Sequence, residues 1–209
     1  MPERAETIRH WLALIRAPQV GPATFYSLLQ SFVEPEAVFK ARQATLENLG
    51  LRPETIAYLR EPDWHRIDAD LAWLETPGSQ LLLLNDSLYP PLLKDIPDPP
   101  PVLFVLGDAT ILGHKQLAMV GSRNPTPAGL ETAQEFARHL AVNGIVITSG
   151  LALGIDGASH QGALAGGLFL EGWFIAAGRR RNLRNQATVF NYRSPGEPAG
   201  YACPCSRFY

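Results

Sequence analysis

The 209-residue chain is 46% hydrophobic and 18% charged, with a formal net charge of −2, a composition that fits an ordinary globular protein of one or two domains. No run approaches the roughly 18–20 apolar residues of a membrane span, and the N-terminus has an amphipathic rhythm where a signal peptide would have an apolar block, so a cytoplasmic location is expected. Charge is uneven: 12 Lys+Arg stand against 18 Asp+Glu up to Gly167, and 6 against 2 from Leu168 onward. The main body is therefore no uniformly basic nucleic-acid binder, and any anionic partner must be held by local geometry.

Residues 4–75 read as a small helical domain. Ile8, Trp11, Leu12 and Ile15 share one helix face, with Leu14 beside them. Val20-Gly21-Pro22-Ala23 is a glycine turn with proline at a first helical position, and it launches a second periodic segment through Phe25, Leu28, Leu29 and Phe32. Asn48-Leu49-Gly50-Leu51 is a second such turn, followed by a short helix from Pro53 to Leu59. Helix, glycine turn, helix is similar to the helix-hairpin-helix units of DNA-associated proteins. Neither turn carries a Lys or Arg that would strengthen a phosphate-binding reading, so a bundle that uses glycine only to turn a corner is the plainer reading of these residues.

The pattern changes at Pro77-Gly78. Leu81–Leu84 and Val102–Leu106 are short, wholly apolar runs of the kind buried in parallel sheets. Between them the proline-dense stretch Tyr89–Pro101 is expected to be an extended connector, without helix or sheet interior. Leu117–Val120 and Ile145–Thr148 are the third and fourth strands, joined by an amphipathic segment, which makes a βαβ unit. Both strands end in polar turns at the edge where open parallel sheets bind ligands.

The first turn is Gly121-Ser122-Arg123-Asn124-Pro125-Thr126-Pro127. Thr126 suits an N-cap, Pro127 the first helical position, and Leu130, Ala133, Ala137 and Leu140 the buried stripe, with Asn143-Gly144 as the stop. Free amides and a positive helix end favour an anion here, and Arg123 offers a planar donor fork for phosphate. A tight turn with a solvated arginine is the plain alternative. The pattern is neither a dinucleotide fingerprint nor a Walker A loop. The second turn, Ser149 to Asp156, again has small residues that admit close backbone approach, at Gly150 and Gly154. Asp156 should favour the next helix start and lies one helical turn before His160. No nucleophile, second carboxylate or metal-ligand set accompanies that pair, so no catalytic residue, metal or cofactor is expected. Cys203 and Cys205, in a Cys-Pro-Cys near the C-terminus, complete no zinc site and are poorly placed to bridge each other.

The segment Met119–Gly129 (MVGSRNPTPAG), with Ser149–Asp156 (SGLALGID), His160 and Gly162-Ala163-Leu164, resembles the DNA processing protein A family (DprA, also called Smf). The likeness covers about residues 8–167, including the Tyr89–Pro100 connector and the helical N-terminal domain. It implies a Rossmann-like α/β domain with an open, mainly parallel sheet, preceded by a small all-α helix-hairpin-helix (SAM-like) domain. It also implies binding of single-stranded DNA without hydrolysis, protection of incoming DNA in natural transformation, delivery to the RecA recombinase, and a homodimer. By position, Gly121, Ser122, Arg123, Asn124 and Thr126 would face DNA, with Ser149, Gly150 and Gly154 as the adjoining wall. Ala128 stands where the family usually has tyrosine.

The expected domains are 1–76 (helical), 77–167 (Rossmann-like) and 168–209 (an atypical tail). After Gly167 the sequence departs from the family: four arginines fall among Arg179–Arg184, no sustained period follows Ala177, and only 168–177 is apolar enough for a strand or short helix. A reading-frame change or aberrant end is expected, which would leave the sheet incomplete and the dimer and RecA surfaces missing. A basic nucleic-acid-binding arm is the competing reading of the tail. The competing function is a nucleotide-processing enzyme of the nucleoside-monophosphate phosphoribohydrolase type, but its glycine-rich Pro-Gly-Gly-x-Gly-Thr turn has no counterpart here. A third possibility is a chain too incomplete to act, with an uncovered sheet edge and poor solubility.

Overall fold

The structure is a computed structural model and describes residues 2–150, 152–166, 174–176 and 187–190. These residues fall into two compact units, the first running to Phe104 and including Ala187, the second taking the remainder from Val105.

The first unit opens with helices α1 (Pro2–Arg16), α2 (Pro22–Phe32), α3 (Pro35–Lys40), α4 (Gln43–Asn48), α5 (Pro53–Arg60) and α6 (Trp64–Trp73). Proline stands in the first turn of α2, α3 and α5, where its missing N–H costs no intrahelical bond. Gly50 takes a positive φ of 77°, which lets the chain reverse after α4, and the Leu51 amide returns to the Leu46 carbonyl. Both glycine turns therefore fall between helices as the sequence reading expects. The core of this unit gathers Leu12, Leu14, Phe25, Leu28, Val38, Leu46, Leu59 and Ile67 from the helices. Strand β1 (Ser79–Leu83) and the start of β2 (Val102–Leu106) add Leu81, Leu83, Val102 and Phe104 to it. Inside that packing Arg16 and Asp70 form an ion pair, with Nη2 to Oδ2 2.5 Å and side chains only 12% and 7% exposed.

The proline-dense connector differs from expectation in one place, because Pro91–Lys94 forms a single helical turn, α7. Pro91 is at its first position, where the fixed φ of proline favours a helix and no donor is lost. The rest is held by two phenols: Tyr26 donates to the Pro99 carbonyl at 2.5 Å and Tyr89 to the Pro100 carbonyl at 2.7 Å. Burial pushes the Tyr26 phenol up to about 12, with the Asp98 charge adding to it, and pushes the Tyr89 phenol up as well.

The second unit is a β-α-β-α-β run. Strand β3 (Gln116–Ala118) leads to α8 (Pro127–Val142), β4 (Val146–Ser149), α9 (Ile155–Ala165) and β5 (Phe174–Ala176). The strands lie in the order β3-β4-β5, all parallel, with Leu117 opposite Ile147 and Thr148 opposite Ile175. The apolar stretch 168–177 thus contains a strand. A second sheet has the order β1-β2-β6, where β6 is Ala187–Phe190, a strand that the aperiodic tail did not announce. Residues 107–115, between β2 and β3, contain one 3-10 turn at Ala109–Gly113. The remainder of the 168–209 tail, with the arginine cluster, Cys203 and Cys205, lies outside the described residues.

Helix α8 starts as its sequence predicts, with Thr126 Oγ1 accepting the Gly129 amide at 3.1 Å. It ends at Val142, ahead of Asn143 and of Gly144, whose φ is 75°. Ala133 and Ala137 are buried and Leu140 is partly so, but Leu130 is 38% exposed and contributes less to the stripe than expected. Helices α8 and α9 cross very closely, since a Cβ on Gly162 would overlap the Gln134 carbonyl. Only small residues allow that approach, and Ala137, Ile147 and Ala163 form the core beneath it.

Candidate nucleic-acid interface

The site is built from the two turns at the carboxyl ends of β3 and β4. The first begins earlier than expected. After Ala118 a single further ladder bond runs from the Met119 amide to the Thr148 carbonyl at 2.8 Å, and Val120, expected inside the strand, is 70% exposed. The physical cause is the next residue. The Gly121 amide leaves the sheet and donates to Asp156 Oδ1 at 3.2 Å.

Asp156 belongs to the first turn of α9 and is 4% exposed. Its other oxygen, Oδ2, accepts from the Gly150 amide at 3.0 Å and from the Ala152 amide at 3.4 Å. One carboxylate therefore bonds the backbone of both turns. The turns touch a second time where the Ile155 amide donates to the Ser122 carbonyl at 3.1 Å. Gly154 sits under that contact, with φ 85° and ψ −127°, and a Cβ there would overlap the Ser122 carbonyl oxygen. Gly121 is equally constrained from the other side, since a Cβ would lie 2.8 Å from the Ile155 side chain.

The expected site residues thus fall into two groups. Gly121, Ser122, Arg123, Asn124, Gly150 and Gly154 are brought together where the turns interlock. Ser122 Oγ accepts the Asn124 amide at 3.1 Å, which stiffens the segment. Arg123 and Asn124 are exposed, and among the described residues no acid pairs with the Arg123 guanidinium. Thr126 is committed to capping α8. Ser149 faces inward: it is 4% exposed, and its hydroxyl shares a hydrogen bond with Nε2 of His160, itself 5% exposed. Any contact that Ser149 makes with a ligand would therefore involve its backbone.

The one-turn spacing of Asp156 and His160 does not make them a hydrogen-bonded pair, because the carboxylate is taken by amides and the ring by Ser149. Burial pushes His160 down from 6.5 to about 4, and the attraction of Asp156 only partly opposes it. A neutral ring is thus the folded form. Between pH 4 and 6.5 the unfolded chain takes up a proton that the folded chain does not, so this contribution to stability is complete above pH 6.5 and is lost as pH falls toward 4. Its size is about 3 kcal/mol. Urea denaturation at pH 7 and pH 4.5 should show it, and His160→Gln should flatten that part of the profile; an unchanged slope in the variant would assign it elsewhere.

Sequence reasoning missed the double role of Asp156. The signal is present, since an acid placed just after a small-residue turn meets orphan amides, but the sequence alone points only to the helix start and to the spacing with His160. Among the described residues no group of His, Cys, Asp and Glu is placed to hold a metal ion, and no helix is long and apolar enough to cross a membrane.

Comparison with known proteins gives the family of the chain. Residues 5–57 match a family model described as a DprA-like N-terminal HHH domain, and residues 80–172 match one described as DNA recombination-mediator protein A. The chain belongs to the DprA/Smf family. Protein Smf of Escherichia coli (strain K12) is 44% identical over 98 residues, which is 47% of this chain and 26% of that protein. DNA processing protein DprA of Bacillus subtilis (strain 168) is 40% identical over 95 residues, 45% of this chain and 32% of that protein. The matched part therefore spans about a quarter to a third of these family members. The X-ray structure of DNA processing protein A from Streptococcus pneumoniae superposes with a TM-score of 0.58 at 23% identity, covering 91% of this chain and 69% of that one. That likeness supports the fold, a Rossmann-like α/β arrangement preceded by a helical domain.

Proposed function

We propose that this chain binds single-stranded DNA through the interlocked turns of its second unit, and that binding, with no bond cleavage, is its activity. The observation that carries the reading is the pairing of Gly121–Asn124 with Gly150–Gly154 at one sheet edge, which leaves Arg123 exposed and without an acidic partner among the described residues. A guanidinium suits a phosphodiester because its planar donors match two phosphate oxygens. The surrounding body is acidic, with 12 Lys+Arg against 18 Asp+Glu up to Gly167, so one well-placed cation should carry a large share of the attraction. Family membership supports DNA as the polymer. Protection of incoming DNA, delivery to a RecA-type recombinase, action as a homodimer and a cytoplasmic location extend the same reading.

The test is binding of a fluorescent oligothymidylate to the wild type and to Arg123→Ala between 50 and 200 mM salt. The expected loss is about tenfold, with the log–log salt slope shallower by about 0.7, the value for one phosphate contact on a single strand. Equal affinity and slope would remove Arg123 from the interface.

A further inference from the structure

Resting on that reading of the two turns, we propose that Asp156 is the positioning residue of the DNA site. Its carboxylate occupies the anion seat formed by the turn amides, so that phosphate is held by the side chains of the exposed Ser122–Asn124 segment, Arg123 foremost, and not by the amides of Gly121 and Gly150. Small-residue turns ahead of helices commonly hold an external anion on their N–H groups. Here those donors are already used. Gly121, Gly150 and Ala152 all point their amides at Asp156, at 3.2, 3.0 and 3.4 Å. The carboxylate is also pressed onto the turn, since a Cβ on Gly150 would lie 3.2 Å from Oδ2. A phosphate seeking the same amides would have to displace a buried carboxylate or sit against it, and like charges at that range repel strongly.

The arrangement also explains the chemistry of the side chain. Three donors arriving from two loops need two acceptor oxygens on one short stem. Asparagine offers a single oxygen and turns an NH2 toward the remaining donors. Loss of the carboxylate removes the tie at Gly121 and leaves only the Ile155–Ser122 hydrogen bond between the turns, so Arg123, two residues beyond the Gly121 amide, is held less firmly.

The experiment uses the full chain with Asp156→Asn, Asp156→Ala, Arg123→Ala and the Asp156→Ala/Arg123→Ala double variant. Amide hydrogen exchange at Gly121 and Gly150 reads the seat, oligothymidylate affinity and salt slope read the site, and a thermal melt reports the folded fraction. Expected results are loss of exchange protection at both glycines in each Asp156 variant and about tenfold weaker binding. The salt slope should fall to that of Arg123→Ala, and the double variant should be no weaker than Arg123→Ala alone. Formate should refill the seat in Asp156→Ala, restoring both protection and affinity, and should leave the wild type unchanged. This formate arm also covers poor folding of the unliganded variant, since failure to rescue either fold or binding counts against an anion seat. Wild-type affinity per folded molecule in Asp156→Asn, with Arg123→Ala weakened, would overturn the positioning role while the DNA site stands. Wild-type affinity in Arg123→Ala, with both amides opened in Asp156→Asn, would overturn the proposal through its premise.

Discussion

Gly154→Ala is expected to cost about 4 kcal/mol or more, the upper range for a single substitution. Two effects combine. The backbone angles of 85° and −127° lie where an L-residue pays about 1–3 kcal/mol. The added methyl would also overlap the Ser122 carbonyl oxygen, which already accepts the Ile155 amide. The first turn must then move off the second, straining the Gly121 amide bond to Asp156 as it goes. At about 2–4 °C per kcal/mol for a chain of this size, the melting temperature should fall by roughly 10 °C. A variant that melts within a degree or two of the wild type would show that the turns are not packed as described.

Asp70→Ala is expected to cost about 3–5 kcal/mol, for a different reason. Arg16 keeps its charge, and its side chain is 12% exposed, so removing the carboxylate strands a guanidinium in the helical core. The Arg16 Nε donates to the same carboxylate at 2.8 Å, so two charge-assisted bonds disappear together. Replacing both partners by apolar residues, as in Arg16→Met/Asp70→Leu, should cost much less than Asp70→Ala, because no unpaired charge remains. Chemical denaturation of the single and double variants tests this, and equal losses in the two would contradict it.

Local chemistry was legible in the sequence. Thr126-Pro127 marks the start of α8 and Asn143-Gly144 its end because capping depends on adjacent residues, and the glycine-proline turns of the helical unit are read in the same way. The βαβ order followed from apolar runs of strand length. What depends on distant partners was not legible. Asp156 reaches an amide 35 positions away, His160 is paired with a serine on another element, and Arg16 meets Asp70 across 54 positions. None of these has a periodic signature. The early end of β3 belongs to the same class, since nothing in Leu117–Val120 itself says that the next amide will turn toward a carboxylate. Ser149 illustrates the limit for the site. The family resemblance places it in the wall of the site, and only the packing of α9 against β4 shows that its hydroxyl faces His160.

The central claim is that DNA meets this chain where the two turns interlock. It is tested most directly by following the backbone amide resonances of the isotope-labelled protein as an oligothymidylate is added. The account predicts the largest shifts at Ser122, Arg123 and Asn124, with smaller ones at Gly150 and Gly154, and predicts that they vanish in Arg123→Ala. Binding that leaves these five amides unmoved, with the shifts falling elsewhere, would contradict it.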